Sequence, residues 1–253
     1  MTEDILTPTQ IEIPRWTVRE LERLVFDSKP KVAVFDCDGT LWSGDSGVGF
    51  MNWSLEQGLV SRATSDGIDT RYRAYLAGKV SEQLICGEMV QIYTGLREQE
   101  LRSAAAEYMR SFLPSRIFAE MAALVAKLRQ QGVELWAVSS TNKWVVAEGA
   151  RQFGIAEEHV LAAEVRVTDG VITHDILDVP TDEAKAASLA RVGLARPDLV
   201  FGNSVHDLAM LETARHAFPI NPSPALLKAA VKHCWGFFVP AEAESLDAAV
   251  QGE

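Results

Sequence analysis

No stretch of the chain approaches the roughly 18 consecutive apolar residues that a membrane-spanning helix requires, so a membrane is not an expected partner. Cysteine is scarce. Cys37, Cys86 and Cys234 are odd in number, widely separated and without a CxxC pair, which argues against a disulfide framework or a zinc knuckle and fits a reducing cytoplasm. Basic residues are outnumbered, 24 Lys and Arg against 35 Asp and Glu, for a net charge of −11. That balance argues against general binding to nucleic acid or anionic membranes, which attract basic surfaces, but leaves room for a small anion held by a metal. Residues 1–14 lack the apolar core of a signal peptide, which adds to the expectation of a cytoplasmic protein.

What is present supports a sizeable core: 253 residues, 47% of them hydrophobic, suit one domain with an insertion or two unequal domains. Thr17 followed by Glu20 reads as a capping box that opens a helix. Residues 31–35 are a short apolar run ending in acidic residues, the pattern of a buried parallel strand whose C-terminal end meets solvent. Residues 45–114 carry helix formers, few β-branched runs and scattered glycines, and read as a helical insertion. Beyond it, helices are predicted over 118–130, 144–153, 183–192, 206–213 and 224–231, and strands over 133–138, 199–201, 216–220 and 235–239. Within 160–177 two alternating strands flank a turn at Thr168-Asp169-Gly170. Strands alternating with helices predict an α/β fold with a mostly parallel sheet.

The run Val34-Phe35-Asp36-Cys37-Asp38-Gly39-Thr40-Leu41 places two carboxylates two residues apart where a strand gives way to a glycine-containing loop. Alone, it could equally be a strand end with a capping acidic turn. Val138-Ser139-Ser140-Thr141 puts hydroxyls at the end of a second strand, Lys185 sits near a helix start, and Phe201-Gly202-Asn203-Ser204-Val205-His206-Asp207 follows a third strand. All lie at or just beyond C-terminal strand ends, where open α/β sheets bind ligands, so they can converge. Cys37 alternates away from Asp36 and Asp38 and reads as core. Ser139 has no G-x-S-x-G elbow around it, so its hydroxyl reads as a ligand rather than a nucleophile. His206 is a poor match for magnesium and reads as a surface residue at a helix start.

Residues 36–40, Ser139, Lys185 and residues 202–207 resemble, in order and spacing, the four motifs of the haloacid dehalogenase superfamily, and the likeness spans residues 30–240. The β-rich stretch before Lys185 is similar to the phosphoserine-phosphatase-like branch. The resemblance implies a Rossmannoid core over residues 1–44 and 115–253, a helical cap over 45–114, and a phosphatase dependent on magnesium (Mg2+) that acts on a small phosphorylated metabolite. Asp36 would be the nucleophile that becomes phosphorylated, and Asp38 the acid and then the base. Asp36, the carbonyl of Asp38 and Asn203 would hold the metal, with Asp207 completing the metal site by orienting metal-bound water or Lys185. Ser139, with Ser140 beside it, would bind the phosphoryl group, whose charge Lys185 would offset.

Two positions depart from the pattern. Asn203 stands where the superfamily has aspartate, which removes a negative charge and implies weaker metal affinity. Asp45 stands where phosphoserine phosphatases place an acid for the substrate's amine, but Glu88 falls where they place an arginine for its carboxylate, and a glutamate cannot clamp a carboxylate. Asp45 and Glu88, with Trp42 and Trp53 near, suit a cationic head group such as phosphocholine or phosphoethanolamine, unless both tryptophans simply pack cap against core. Two other readings stay open: a phosphotransferase or phosphomutase using the same aspartyl phosphate, and a catalytically weak binding or regulatory protein, for which Asn203 is the support.

Overall fold

Short β-branched and aromatic runs form the strands, and their period of two sends side chains to opposite faces of one sheet. The computed structural model describes residues 12–243; residues 1–11, most of the stretch read above for a leader, and residues 244–253 lie outside the described residues. The strands are β1 (Val32–Phe35), β2 (Glu134–Asn142), β3 (Val160–Thr168), β4 (Val171–Asp178), β5 (Leu199–Gly202) and β6 (His216–Pro219). They form a six-stranded sheet in the order β4-β3-β2-β1-β5-β6. All neighbours are parallel except β3 and β4, an antiparallel hairpin. The fold class read from the sequence is the one observed.

The helices are α1 (Val18–Asp27), α2 (Ser46–Glu56), α3 (Arg62–Leu76), α4 (Glu82–Gln91), α5 (Glu98–Phe112), α6 (Ala119–Gln130), α7 (Lys143–Gln152), α8 (Glu183–Arg191), α9 (Leu208–Thr213) and α10 (Pro224–His233). Ala33, Phe35, Leu135, Ala137, Leu199 and Phe201 point to one face, where α1, α6 and α7 cover them. Val34, Trp136, Val138 and Val200 point to the other, where residues of α8, α9 and α10 pack. Buried on both faces, the central strands have no polar side to show, which is why they read as continuous apolar runs. None of the described helices is long and apolar enough to cross a membrane.

Between β1 and α6 the chain runs through α2, α3, α4 and α5. Met51, Ile68 and Ile85 form a small apolar cluster of their own among α2, α3 and α4, while α2 and α5 also contribute Phe50, Leu101, Ala105 and Met109 to the main core. The β3–β4 hairpin turns through Asp169 and Gly170, at φ 51° and 75°, the left-handed pair that a two-residue turn demands. It also braces the insertion: Gly95 N donates to the Ile172 carbonyl at 2.8 Å, Glu98 N to that of Gly170 at 2.9 Å, and Gln91 Nε2 to that of His174 at 2.8 Å.

Three local readings change. Residues 235–239 form no strand: Phe237 bridges Arg15, and Phe238 bridges Ile220 just past the end of β6, so successive residues pair with different segments and no ladder forms. The helix predicted over 206–213 is a 3-10 turn at 205–207 followed by α9, because Asp207 folds back to cap the turn. Strand β2 continues to Asn142, and its pairing with β3 shifts register between Val138 and Asn142. Such an irregularity re-aims side chains, here those of Ser139, Ser140 and Thr141. The Thr17–Glu20 capping box is present as read.

Helix α7 lies unusually close to the loop after β1: a Cβ on Gly149 would stand 2.7 Å from Trp42 Cη2 and 3.0 Å from Met109 Cε. Gly149→Ala is therefore expected to destabilise the fold by about 1–3 kcal/mol, the overpacking cost exceeding the propensity gain. Gly67→Ala in α3, where nothing lies within 4 Å, is expected to stabilise by about 0.5–1 kcal/mol. Denaturant midpoints of the two variants should move in opposite directions.

Candidate active site

Asp36 is the first residue beyond β1, held in register by its amide, which donates to the Phe201 carbonyl at 2.9 Å. Lys185, on the first turn of α8, reaches across the sheet end: its Nζ lies 2.7 Å from Asp36 Oδ1, 2.5 Å from Asp207 Oδ1 and 3.4 Å from the Val138 carbonyl. Thr40 Oγ1 donates to Asp36 Oδ2 at 3.0 Å. Asp207 is fully buried, and its Oδ2 accepts from the amides of Asn203 and Ser204, both at 2.9 Å. The three acceptors around the lysine thus come from β2 and from just beyond the ends of β1 and β5.

The electrostatics follow from this burial. Removal from water, reinforced by the charge of Asp207, raises Asp36 to about 7, against the pull of Lys185. Burial pulls Lys185 down, but the two carboxylates more than offset it and hold the ammonium well above its ordinary range. Asp38 is raised by burial although four donors favour its charged form: Trp42 Nε1 at 2.6 Å, Ser46 N at 2.8 Å, Thr141 Oγ1 at 2.9 Å and Ser46 Oγ at 3.0 Å.

Asp36, Asp38, Ser139, Lys185 and Asn203 line one cavity of about 890 Å³, part of it open to solvent. Among the described residues no three His, Cys, Asp or Glu side chains cluster so as to hold a metal by themselves. The oxygens available are of another kind: a carboxylate of Asp36, the amide of Asn203 and backbone carbonyls. Gly39, at φ 82°, leaves the space the amide occupies, since a Cβ there would lie 1.9 Å from Asn203 Nδ2. Asp36 and Asp207 face a single buried lysine while Asp38 nearby is held by neutral donors, an excess of negative charge that a hard divalent cation would neutralise. Oxygen donors and surplus charge fit Mg2+ rather than zinc.

A second chamber of about 590 Å³ adjoins the first and shares Asp45, Tyr75, Glu82, Ser140 and Thr141 with it. Tyr72, Tyr93 and Met89 supply further wall. Asp45 caps α2 through Val48 N at 2.8 Å, and its enclosure, with Asp38 nearby, raises it to about 6. Glu82, the first residue of α4, accepts from Ser140 Oγ at 3.3 Å, Thr181 Oγ1 at 3.1 Å and Tyr75 OH at 3.0 Å, and pairs with His206 Nε2 at 2.6 Å. The other nitrogen of His206 lies 2.7 Å from Asp182 Oδ1, and the Glu82 hydrogen bond leads in raising the imidazole to about 9.

Asp36, Asp38, Asp45, Ser139, Ser140, Lys185 and Asn203 therefore come together as the sequence suggested. Asp207, with both oxygens on protein donors and no exposed surface, stands behind Lys185 and the 203–204 turn, which matches the lysine-orienting role read for it. Others do not come together in this way. Trp42 is fully buried against Phe153 and Gly149, with its N–H on Asp38 and no face toward the chamber. Glu88 lies outside both cavities in a two-pronged pair with Arg71, at 2.7 and 2.8 Å. His206, part-buried in the 3-10 turn, bridges two carboxylates, which the reading as a simple surface residue did not include. Glu82 and Tyr75 went unread because a first-turn acid and a helical tyrosine carry no local mark of a site.

The sequence signature of haloacid dehalogenase-like hydrolases matches residues 33–212, well over half of the chain. A probable phosphatase of Mycobacterium tuberculosis is 26% identical over 211 residues, 80% of this chain and 73% of the relative. A histidinol-phosphatase of Neisseria meningitidis is 23% identical over 215 residues, 81% of this chain and 96% of the relative. Among solved structures, a protein of unknown function from Bordetella pertussis Tohama I superposes with a TM-score of 0.73 at 23% identity, covering 82% of this chain and 97% of the other. A substrate-bound phosphoserine phosphatase superposes with a TM-score of 0.55 at 16% identity, covering 83% and 92%. With its motif residues gathered at the C-terminal end of a parallel sheet and the signature spanning residues 33–212, the chain belongs to the haloacid dehalogenase-like hydrolase family.

Proposed function

We propose that this phosphohydrolase is a magnesium-dependent phosphomonoesterase that passes the phosphoryl group of a small metabolite to Asp36 and then to water. The carrying observation is the buried Asp36 carboxylate, pinned by Lys185 and Thr40 at the floor of a cavity lined by Asp38, Ser139 and Asn203. A carboxylate oxygen of Asp36 attacks phosphorus in line as the bond to the leaving oxygen breaks. Asp38, whose burial favours the protonated form, gives its proton to that oxygen once one of its four hydrogen bonds is released. It then takes a proton from the water that attacks the phosphoaspartate. Ser139 Oγ accepts from Thr141 N at 3.2 Å, which leaves the hydroxyl hydrogen for a phosphoryl oxygen. Mg2+, held by Asp36, Asn203 and the Asp38 carbonyl, would supply charge neutralisation on the transferring oxygens.

Helices α2 to α5, within residues 45–114, act as the cap over this cavity, excluding water during transfer and opening for product. The chamber beneath them supports a leaving group that carries a cation. Among the described residues lining the two cavities, the basic side chains are Lys185 and His206, and each is already bonded to two carboxylates. Nothing there clamps a substrate carboxylate, which argues against phosphoserine. Asp45 offers a carboxylate, and Tyr72 and Tyr75 offer aromatic faces in place of the tryptophans. Phosphoethanolamine, phosphocholine and the amine-bearing phosphate named by the Neisseria relative share this chemistry.

Three outcomes are expected. Phosphate release from such esters should require Mg2+, and Asp36→Asn should lower it by at least about a thousandfold; a product that is a rearranged ester without free phosphate would instead indicate a mutase. Asn203→Asp, by restoring a negative charge, should lower the Mg2+ concentration for half-maximal activity, and an unchanged or higher requirement would remove the amide as the cause of weak affinity. Asp45→Asn should reduce kcat/KM for phosphoethanolamine by about 10- to 100-fold and for p-nitrophenyl phosphate by less. Equal losses would show that Asp45 does not meet the amine.

A further inference from the structure

Helix α4 is fastened at both ends. Its C-terminal end is held by the hairpin through Gln91 and Gly95, and its N-terminal end by one side chain, Glu82. The four partners of Glu82 come from the insertion itself, through Tyr75, and from three separate segments of the sheet end. Ser140 follows Ser139 on β2, Thr181 lies just before α8 and four residues before Lys185, and His206 adjoins Asp207. A single carboxylate, 12% exposed, therefore touches the segments that carry the phosphoryl ligand, the lysine and the acid behind it.

His206 is the charged member of this set. Both ring nitrogens lie within 2.7 Å of carboxylate oxygens, which requires a donor on each side and so an imidazolium between Glu82 and Asp182. Asp182 adopts φ 49° and ψ −131°, a left-handed φ that a β-substituted residue takes only when its surroundings impose it. Its side chain is 43% exposed and its carboxylate lies on His206, so the strained residue works as a strut behind the imidazole. With its oxygens satisfied in this way, Glu82 is not free to meet a substrate cation, which leaves that part to Asp45.

We propose that Glu82 and His206 form the latch that registers α4, and with it Tyr72 and Tyr75, over the phosphoryl site, and that both are positioning residues for the leaving group. The latch rests on the phosphatase reading of the cavity but concerns residues that take no part in the chemistry. Loss of register by even an ångström misplaces the ester relative to Asp36, which costs rate as well as affinity.

The test combines kinetics with hydrogen–deuterium exchange on the full-length protein, using Glu82→Ala, His206→Ala, the double variant and His206→Gln, with p-nitrophenyl phosphate and phosphoethanolamine as substrates. Each alanine variant should lower kcat/KM by about tenfold or more, with kcat falling at least as much as KM rises. The double variant should be no worse than the poorer single one, as expected of a pair acting as one unit. Glutamine at 206, which keeps a donor toward Glu82, should recover part of the loss. Amides of residues 82–91 should exchange faster in the alanine variants while those of β1 and β5 stay protected. Additive losses, or unchanged exchange over 82–91 in variants whose core strands stay protected, would overturn the latch. Absence of phosphate release from the unmodified protein would overturn the phosphatase reading, and the exchange data would still decide the latch.

Discussion

A lysine ammonium with only 3% of its side chain exposed can keep its charge only between carboxylates, and Lys185 has two. Much of the site's geometry descends from that requirement. Asp36 must end β1 at the height of the ammonium, and Asp207 must turn back from the far side of β5 to meet it. That return explains the 3-10 turn over 205–207 and the near absence of space around Gly202, where a Cβ would stand 2.7 Å from Asp207 Cβ. The same turn fixes the backbone of Asn203, which brings its amide against Gly39. The ion triad is thus a poor source of net stability, since buried pairs barely recover their desolvation, but a strong determinant of where catalytic atoms stand.

The parallel core was legible in the sequence because its strands are buried on two faces and alternate with helical stretches, the first of them opened by the Thr17–Glu20 capping box. The motif residues were legible for the same reason: a strand end followed by a polar turn has a local signature. What escaped reading was long-range. Nothing near Glu82 in sequence indicates that Ser140, Thr181 and His206 converge on it, and nothing near Trp42 indicates that its indole would be spent on Asp38 and the α7 contact at Gly149. Glu88 falls outside the chamber because, along a helix, a shift of one or two positions turns a side chain from the inner face to the outer surface, here toward Arg71. The strand expected over 235–239 failed for a comparable reason, its residues having the right composition but two different partners.

In the proposed function, chemistry and selectivity occupy different parts of the molecule. The atoms proposed to handle the phosphoryl group sit on strand ends whose positions are set by a sheet packed on both faces, whereas the chamber proposed for the leaving group is walled by α2, α3 and α4, which have only a small apolar cluster of their own. A wall of that kind is adjustable, and on the proposed reading its tyrosines and acid would meet a cation, with no basic side chain among its described lining residues to hold an anion.

The β3–β4 hairpin gives this division a further meaning. It extends the sheet by one antiparallel strand, yet its backbone carbonyls also support the α4–α5 connection at Gly95 and Glu98. Because main-chain groups make those contacts, their strength depends on the hairpin's length and twist far more than on its side chains. Insertions or deletions at its tip could therefore tilt the roof of the chamber by inheritance of loop length alone, letting related chains diverge in diet while the machinery on the strand ends is copied unchanged.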